Sequence, residues 1–214
     1  MVTNAARFDP FRPLHLGSIA MISVLNWIAL LAAMVTSIGL LLHQNWRWGV
    51  GLLAVQYLSI FWLVQTHWPV SMAAAKLVTG WMACVILGMA NMNAETSGDT
   101  EASWPQGRLF RIFTAGIIVA ATFALSLRAS NWLGLGMPLT WTSLLLIGMG
   151  LLQLGITSRS FRVILGLLTI LAGFEILYAA VESSVLVAAL LSIVNLGLAL
   201  TGAYFMNVTQ DENS

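Results

Sequence analysis

The chain has 214 residues, of which 59% are hydrophobic and only 8% are charged. Because a soluble domain is about 25% charged, this composition excludes an ordinary soluble protein and indicates an integral membrane protein. A formal net charge of +1 offers no basic surface for phosphates, which excludes nucleic acid as a partner. The single cysteine, Cys84, excludes an internal disulfide or a cysteine-held cofactor, and we interpret it as a packing residue.

Apolar windows of about 20 residues predict an all-α fold, a polytopic bundle of about seven transmembrane helices. The predicted spans are 17–43, 48–66, 70–91, 110–128, 138–157, 162–182 and 184–206. The first exceeds the hydrophobic region of a signal peptide, so we predict that it is retained. An N-terminal tail (1–16) with two prolines should be irregular or lie along the surface. A hydrophilic loop (92–109) divides helices 1–3 (17–91) from the helix 4 segment (110–137), and a short tail (207–214) ends the chain.

The connections predict neighbours and orientation. Because the turns TSRSF and ESS are short, helices 5, 6 and 7 should be sequential antiparallel neighbours. One side carries Arg47, Arg108, Arg111, Arg159 and Arg162, and the other carries Arg7, Arg12 and Arg128. The positive-inside bias therefore predicts a cytoplasmic first side, an external N-terminus and a cytoplasmic C-terminus.

Three ionisable residues lie in or beside the predicted spans. Glu175 falls within span 6, where an unpaired carboxylate costs roughly 2.5–3.5 kcal/mol by insertion scales, so an intramembrane acid indicates a functional site. Lys76, the only lysine, should lie roughly 8–10 Å below the outer face, and Glu175 roughly 10–12 Å below it. Glu182, seven residues after Glu175, shares its helix face. We predict that Glu175, Lys76 and Glu182 form a proton relay.

Each of these residues also has a simpler interpretation. Glu175 could be a protonated carboxyl that only hydrogen-bonds between helices. Lys76 could extend its side chain to the outer headgroups, and Glu182 could be a solvated residue at a helix end. We interpret Gln56, Gln153 and Asn195 as interhelical hydrogen-bonding residues. The histidine spacing predicts neither a metal site nor a haem site, so we expect no cofactor bound by this chain.

From Trp141 to Phe205 the chain carries LLLIGMGLLQLGITSRSF, VILGLLTILAGFEILYAA and LLSIVNLGLALTGAYF. These segments resemble the three-helix K subunit of bacterial NADH:quinone oxidoreductase, and Glu175 in GFEIL matches a glutamate of that family's proton path. This resemblance implies a K-like unit over 138–206. One difference is Ile193, which stands where the family usually has a second glutamate. These three helices therefore contain only one of the two glutamates that the family usually has.

The whole chain resembles the longer E-type membrane subunits of hydrogenase-4 and formate hydrogenlyase, through WRWGVGLLAVQYLSIFWLV and the lysine of AAAKLVTGWMA. The resemblance implies a bacterial inner-membrane subunit of a complex I-related assembly, beside antiporter-like subunits and lipid. Redox centres would belong to the partners, and this chain would help couple electron transfer to proton or cation movement. The alternative is a structural scaffold subunit of another bioenergetic complex. A stand-alone transporter is a third hypothesis, disfavoured because the sequence has no convincing inverted repeat.

Overall fold

The computed structural model describes residues 12–43, 45–94, 105–157, 159–182 and 184–211. Seven α-helices occupy this described part: α1 (Arg12–Leu42), α2 (Trp46–Val64), α3 (Val70–Ala94), α4 (Pro105–Leu133), α5 (Met137–Ile156), α6 (Ser160–Val181) and α7 (Val185–Asp211). Every one is long and apolar enough to cross a membrane. The all-α prediction is confirmed, and the chain is a multi-pass membrane protein.

Several helices extend beyond their predicted limits. Helix α1 begins at Arg12 rather than at Gly17, because Pro13 falls in the first helical turn, where proline disrupts no hydrogen bond. Helix α4 begins at Pro105, which replaces the last part of the predicted 92–109 loop with helix. It ends before Gly134, whose φ of 66° is the left-handed conformation that stops many helices. Residues 1–11, 95–104 and 212–214 of the predicted tails and loop lie outside the described residues.

The helices form two facing rows with one helix outside them. Helices α1, α2 and α3 pack side by side, and α5, α6 and α7 form the second row. The rows meet in order, α1 against α5, α2 against α6 and α3 against α7, while α4 packs on α5 and touches α1. The predicted neighbours α5–α6 and α6–α7 do pack together. Helix α6 has the largest buried share of the seven candidate spans, so its polar residues face protein.

Close backbone contact holds α6 against α5. A Cβ atom on Gly173 would lie 2.7 Å from the carbonyl oxygen of Ser143, and one on Gly150 would lie 2.7 Å from the carbonyl oxygen of Gly166. The hydroxyl of Ser143 donates to the carbonyl of Gly173 over 2.8 Å. Glu175 follows Gly173 by two residues, or about 200° around the helix, so this contact directs the carboxylate away from α5.

The bundle has a Trp68 end and an Arg162 end. The Trp68 end holds the α2–α3 turn, in which Trp68 lies, and the α6–α7 connection. The Arg162 end holds the α1–α2 and α5–α6 connections, next to which Arg162 lies in the first turn of α6.

Candidate functional site

Lys76 and Glu175 form an ion pair inside the bundle. The Nζ of Lys76 on α3 donates to Oε1 of Glu175 on α6, across the two rows, over 2.5 Å. Their side chains are only 9% and 6% exposed. The lysine therefore does not extend to the surface, which rules out the headgroup interpretation of its side chain. Taking both charges out of water is costly, and each charge offsets part of that cost for the other.

The pair lies in the half of the bundle nearer the Trp68 end. Lys76 is the seventh residue of α3, counted from Val70, and Glu175 is the seventh residue back from Val181 at the end of α6. At 1.5 Å per residue, both lie about 9 Å from the helix ends that face the Trp68 end. The two residues therefore lie at a similar depth, as the sequence predicts. The rotation of α3 and α6 about their axes points the two side chains at each other.

Glu182, the third predicted relay residue, lies apart from the pair. Its backbone caps the C-terminus of α6, and its side chain is exposed. Its carbonyl oxygen accepts a hydrogen bond from the indole Nε1 of Trp68 over 3.0 Å. No ion pair joins Glu182 to another residue of the described part of the chain. The structure thus brings together two of the three predicted residues.

A small cavity adjoins the pair. Its volume is about 10 Å³, which is roughly the room that one water needs. Besides Lys76 and Glu175, the wall consists of residues from α2, the α2–α3 turn and α3: Tyr57, Ile60, Phe61, Val64, Trp68, Ala73 and Leu77. One side of the ion pair therefore borders this cavity and is not closely packed against other side chains.

Sequence reasoning missed Tyr57, which lines the same cavity. Its buried hydroxyl donates to Oδ1 of Asn195 on α7 over 2.8 Å. Its ring lies against Gly80, where an added Cβ would come within 2.5 Å of ring carbon. The signal in the sequence was Tyr57 itself, since a tyrosine within a span needs a partner for its hydroxyl. Several polar residues could have been that partner, so the sequence could not select Asn195.

The three interhelical polar residues have different outcomes. The prediction is confirmed for Asn195, which accepts from Tyr57, and for Gln153, whose Nε2 donates to the carbonyl of Arg162 over 3.2 Å. It is wrong for Gln56 within the described residues, because neither polar atom of its fully buried side chain has a hydrogen-bond partner there.

The side chains of the site limit the chemistry that it can carry out. Among the described residues, no three histidine, cysteine, aspartate or glutamate side chains lie together as a metal site would require. A buried carboxylate and a buried ammonium in contact, by contrast, can each bind or release a proton. Each also neutralises the charge of the other. A proton that reaches Glu175 neutralises the carboxylate and leaves Lys76 without its counter-charge, and departure of that proton restores the ion pair.

Comparison with family models, curated proteins and solved structures finds no match to this chain. The resemblance to hydrogenase-type membrane subunits therefore stays a prediction that depends on the sequence segments quoted above.

Proposed function

We propose that this protein is an integral subunit of a complex I-related respiratory complex in the bacterial cytoplasmic membrane. In that role it packs beside antiporter-like subunits and lipid, and it helps couple electron transfer in partner subunits to proton or cation translocation. The observation that carries the proposal is the buried Lys76–Glu175 ion pair. The motifs GFEIL and AAAKLVTGWMA agree with it, because each contributes one residue of the pair.

The free energy that is needed to bury the Lys76–Glu175 pair supports the proposal. Replacing a buried ion pair by well-packed apolar residues is often neutral or even stabilising, so such a pair is poor evidence of a need for stability. Ionisable residues within membrane spans instead mark ion paths and proton relays. The pair has two electrostatic states, closed when both groups are charged and released when Glu175 is protonated. A charge that moves in a neighbouring subunit would bias this equilibrium, which is the coupling that we assign to the site.

The scaffold alternative has one observation in its favour. Ile193, at the position of the family's second glutamate, is 67% exposed on the outside of α7. The chain therefore presents no second carboxylate on that face, and a proton would have to continue through a partner subunit. A scaffold that only packs helices would carry Glu175 as an inert paired group.

The deciding experiment replaces the carboxylate and keeps its shape. Glu175→Gln should leave the complex assembled on native gels but reduce proton translocation per electron in membrane vesicles, because an amide hydrogen-bonds without titrating. Glu182→Gln is the matched control, since Glu182 is exposed and outside the pair, and it should retain coupling. Unchanged coupling in Glu175→Gln would favour the scaffold.

Assembly is tested separately. Large parts of α4 and α7 expose apolar side chains, which lipid or partner helices must cover. We expect the protein to migrate in a large complex after mild detergent extraction. A monodisperse monomer with full transport activity in liposomes would contradict the subunit proposal and favour a stand-alone transporter.

Orientation needs its own measurement. We propose an external N-terminus, because more arginines lie on the opposite side. In a Cys84→Ala background, cysteines introduced between residues 95 and 106 should be protected from impermeant thiol reagents in intact cells, and one in the N-terminal tail should react. The reverse pattern would place the Trp68 end in the cytoplasm.

A further inference from the structure

The ion pair leaves hydrogen-bonding groups for a further ligand. A lysine ammonium has three donor hydrogens and a carboxylate has two acceptor oxygens. The contact between Nζ and Oε1 uses one donor and one oxygen, and the structure gives neither side chain another hydrogen-bond partner among the described residues. Buried polar groups are nearly always hydrogen-bonded, to protein or to ordered water. The adjoining cavity has room for about one water and borders both groups.

The residues that line the cavity lie at the depth of the ion pair or nearer the Trp68 end. Its α2 wall runs from Tyr57 to Val64, a rise of about 10 Å, and continues to Trp68 in the turn. In the opposite direction the bundle is closed by fully buried leucines. Leu168, seven residues before Glu175 on α6, is fully buried, and so is Leu53, four residues before Tyr57 on α2. Water therefore has less apolar packing to cross toward the Trp68 end.

Trp68 covers this side of the cavity. Its indole is only 4% exposed and packs edge-on against Tyr178, with ring centroids 6.3 Å apart. The indole nitrogen donates to the carbonyl of Glu182, which ties the α2–α3 turn to the exposed C-terminus of α6. Trp68 thus lines the cavity from the α2–α3 turn and is held there by this hydrogen bond, by the ring contact and by its packing in the apolar core.

We infer that the cavity is a water-binding site for the Lys76–Glu175 pair, and that it exchanges with the Trp68 end of the bundle past the Trp68 indole. The bound water donates to Glu175 and accepts from Lys76. This inference rests on the proposed function, because it names the side of the membrane with which the proton-handling pair communicates. Trp68 has no part in proton transfer and acts only as the cover of the site.

Thiol reactivity in the full chain, in native membranes, tests the site. In a Cys84→Ala background, Ala73→Cys introduces a thiol into the cavity wall, and Ala83→Cys introduces one at an equally buried position of α3 outside it. Ag⁺ is the probe, and the remaining free thiol is counted with a maleimide after denaturation. Because a thiol near Lys76 and water forms more thiolate than one in apolar packing, Ala73→Cys should react about tenfold faster or more.

Trp68→Ala, added to each cysteine variant, tests the route. It should accelerate the reaction of Ala73→Cys several-fold and leave Ala83→Cys unchanged. If Trp68→Ala does not assemble, Trp68→Phe keeps a ring, loses the N–H donor and should accelerate Ala73→Cys to a smaller extent. Equal rates for the two cysteines would overturn the water site, and no response to either tryptophan variant would overturn the route.

The two proposals can fail separately. Loss of coupling in Glu175→Gln together with an unreactive Ala73→Cys would retain the proposed function and reject this site. A reactive Ala73→Cys together with full coupling in Glu175→Gln would retain the water site and reject the proposed function.

Discussion

Two buried cations of this bundle, Lys76 and Arg162, are satisfied in different ways. Lys76 lies deep between the rows and contacts a carboxylate. Arg162 is 9% exposed in the first turn of α6, and its Nη2 donates over 2.7 Å to the carbonyl of His43, directly after the last residue of α1. A helix C-terminus offers unpaired carbonyls and partial negative charge, which stabilise a cation placed there.

This difference distinguishes a cation that stabilises the fold from a cation that belongs to the candidate functional site. Arginine keeps its proton under all ordinary conditions, so Arg162 acts as a fixed clamp between α1 and α6. The Lys76–Glu175 pair lies about 9 Å from the nearest helix ends and has no such backbone acceptor among the residues that the structure describes. Its charge balance therefore depends on two side chains that can both titrate. We therefore expect changes at Arg162 to affect stability, and changes at the pair to affect both stability and coupling.

The largest effect should come from removing one member of the pair. Lys76→Met leaves a buried carboxylate without its counter-charge and should reduce the free energy of unfolding in detergent by about 3–5 kcal/mol. Lys76→Met combined with Glu175→Leu removes both charges and should recover most of that loss. A double variant that is as unstable as the sum of the single variants would show that the two residues do not act as a pair.

The Arg162 clamp should give the next largest effect. Arg162→Gln loses a charge-assisted hydrogen bond and should destabilise the protein by about 1.5–3 kcal/mol, measured by the same unfolding assay. Arg108→Gln, at an exposed position of α4, should stay within about 0.5 kcal/mol. In the assembled complex Arg162→Gln should retain proton translocation per electron. Lost coupling there would break the distinction between the two cations.

The α5–α6 contact that orients Glu175 is tested by a glycine substitution. Gly173→Ala forces a methyl group against the backbone of Ser143 and should destabilise the protein by about 1–3 kcal/mol. Gly116→Ala is the matched control, because an added Cβ there meets nothing within 4 Å, and it should stabilise α4 by about 0.5–1 kcal/mol. Equal thermal stability of the two variants would contradict the close helix contact.

The smallest effect is expected at Tyr57. Tyr57→Phe removes only the hydrogen bond to Asn195 and should cost about 0.6 kcal/mol, which is typical of interhelical hydrogen bonds in membrane proteins. Tyr204→Phe, at a 64% exposed position of α7, is the control and should cost less. A loss above about 2 kcal/mol at Tyr57 would exceed what one such bond supplies and would indicate that Tyr57 also supports the ion pair.

The site was only partly predictable from the sequence. Glu175 and Lys76 were found because a charge within an apolar window stands out without any tertiary information. Glu182 was grouped with them by helix periodicity. Helix α6 ends at Val181, however, so Glu182 has left the helix and does not share the helix face of Glu175. Trp68 had no signal beyond its position in a turn, because its role depends on how close the ends of α2 and α6 lie.

The sequence by itself determined the seven spans, the helical class and the depth of Lys76 and Glu175. These properties follow from hydropathy and from the fixed rise of a helix, both of which are local along the chain. Only the tertiary structure decided that Lys76 meets Glu175, that Tyr57 meets Asn195 and that Gln56 meets no partner among the described residues. The rotation of each helix and the order of the rows depend on contacts such as Gly173 against Ser143, between residues far apart in the sequence.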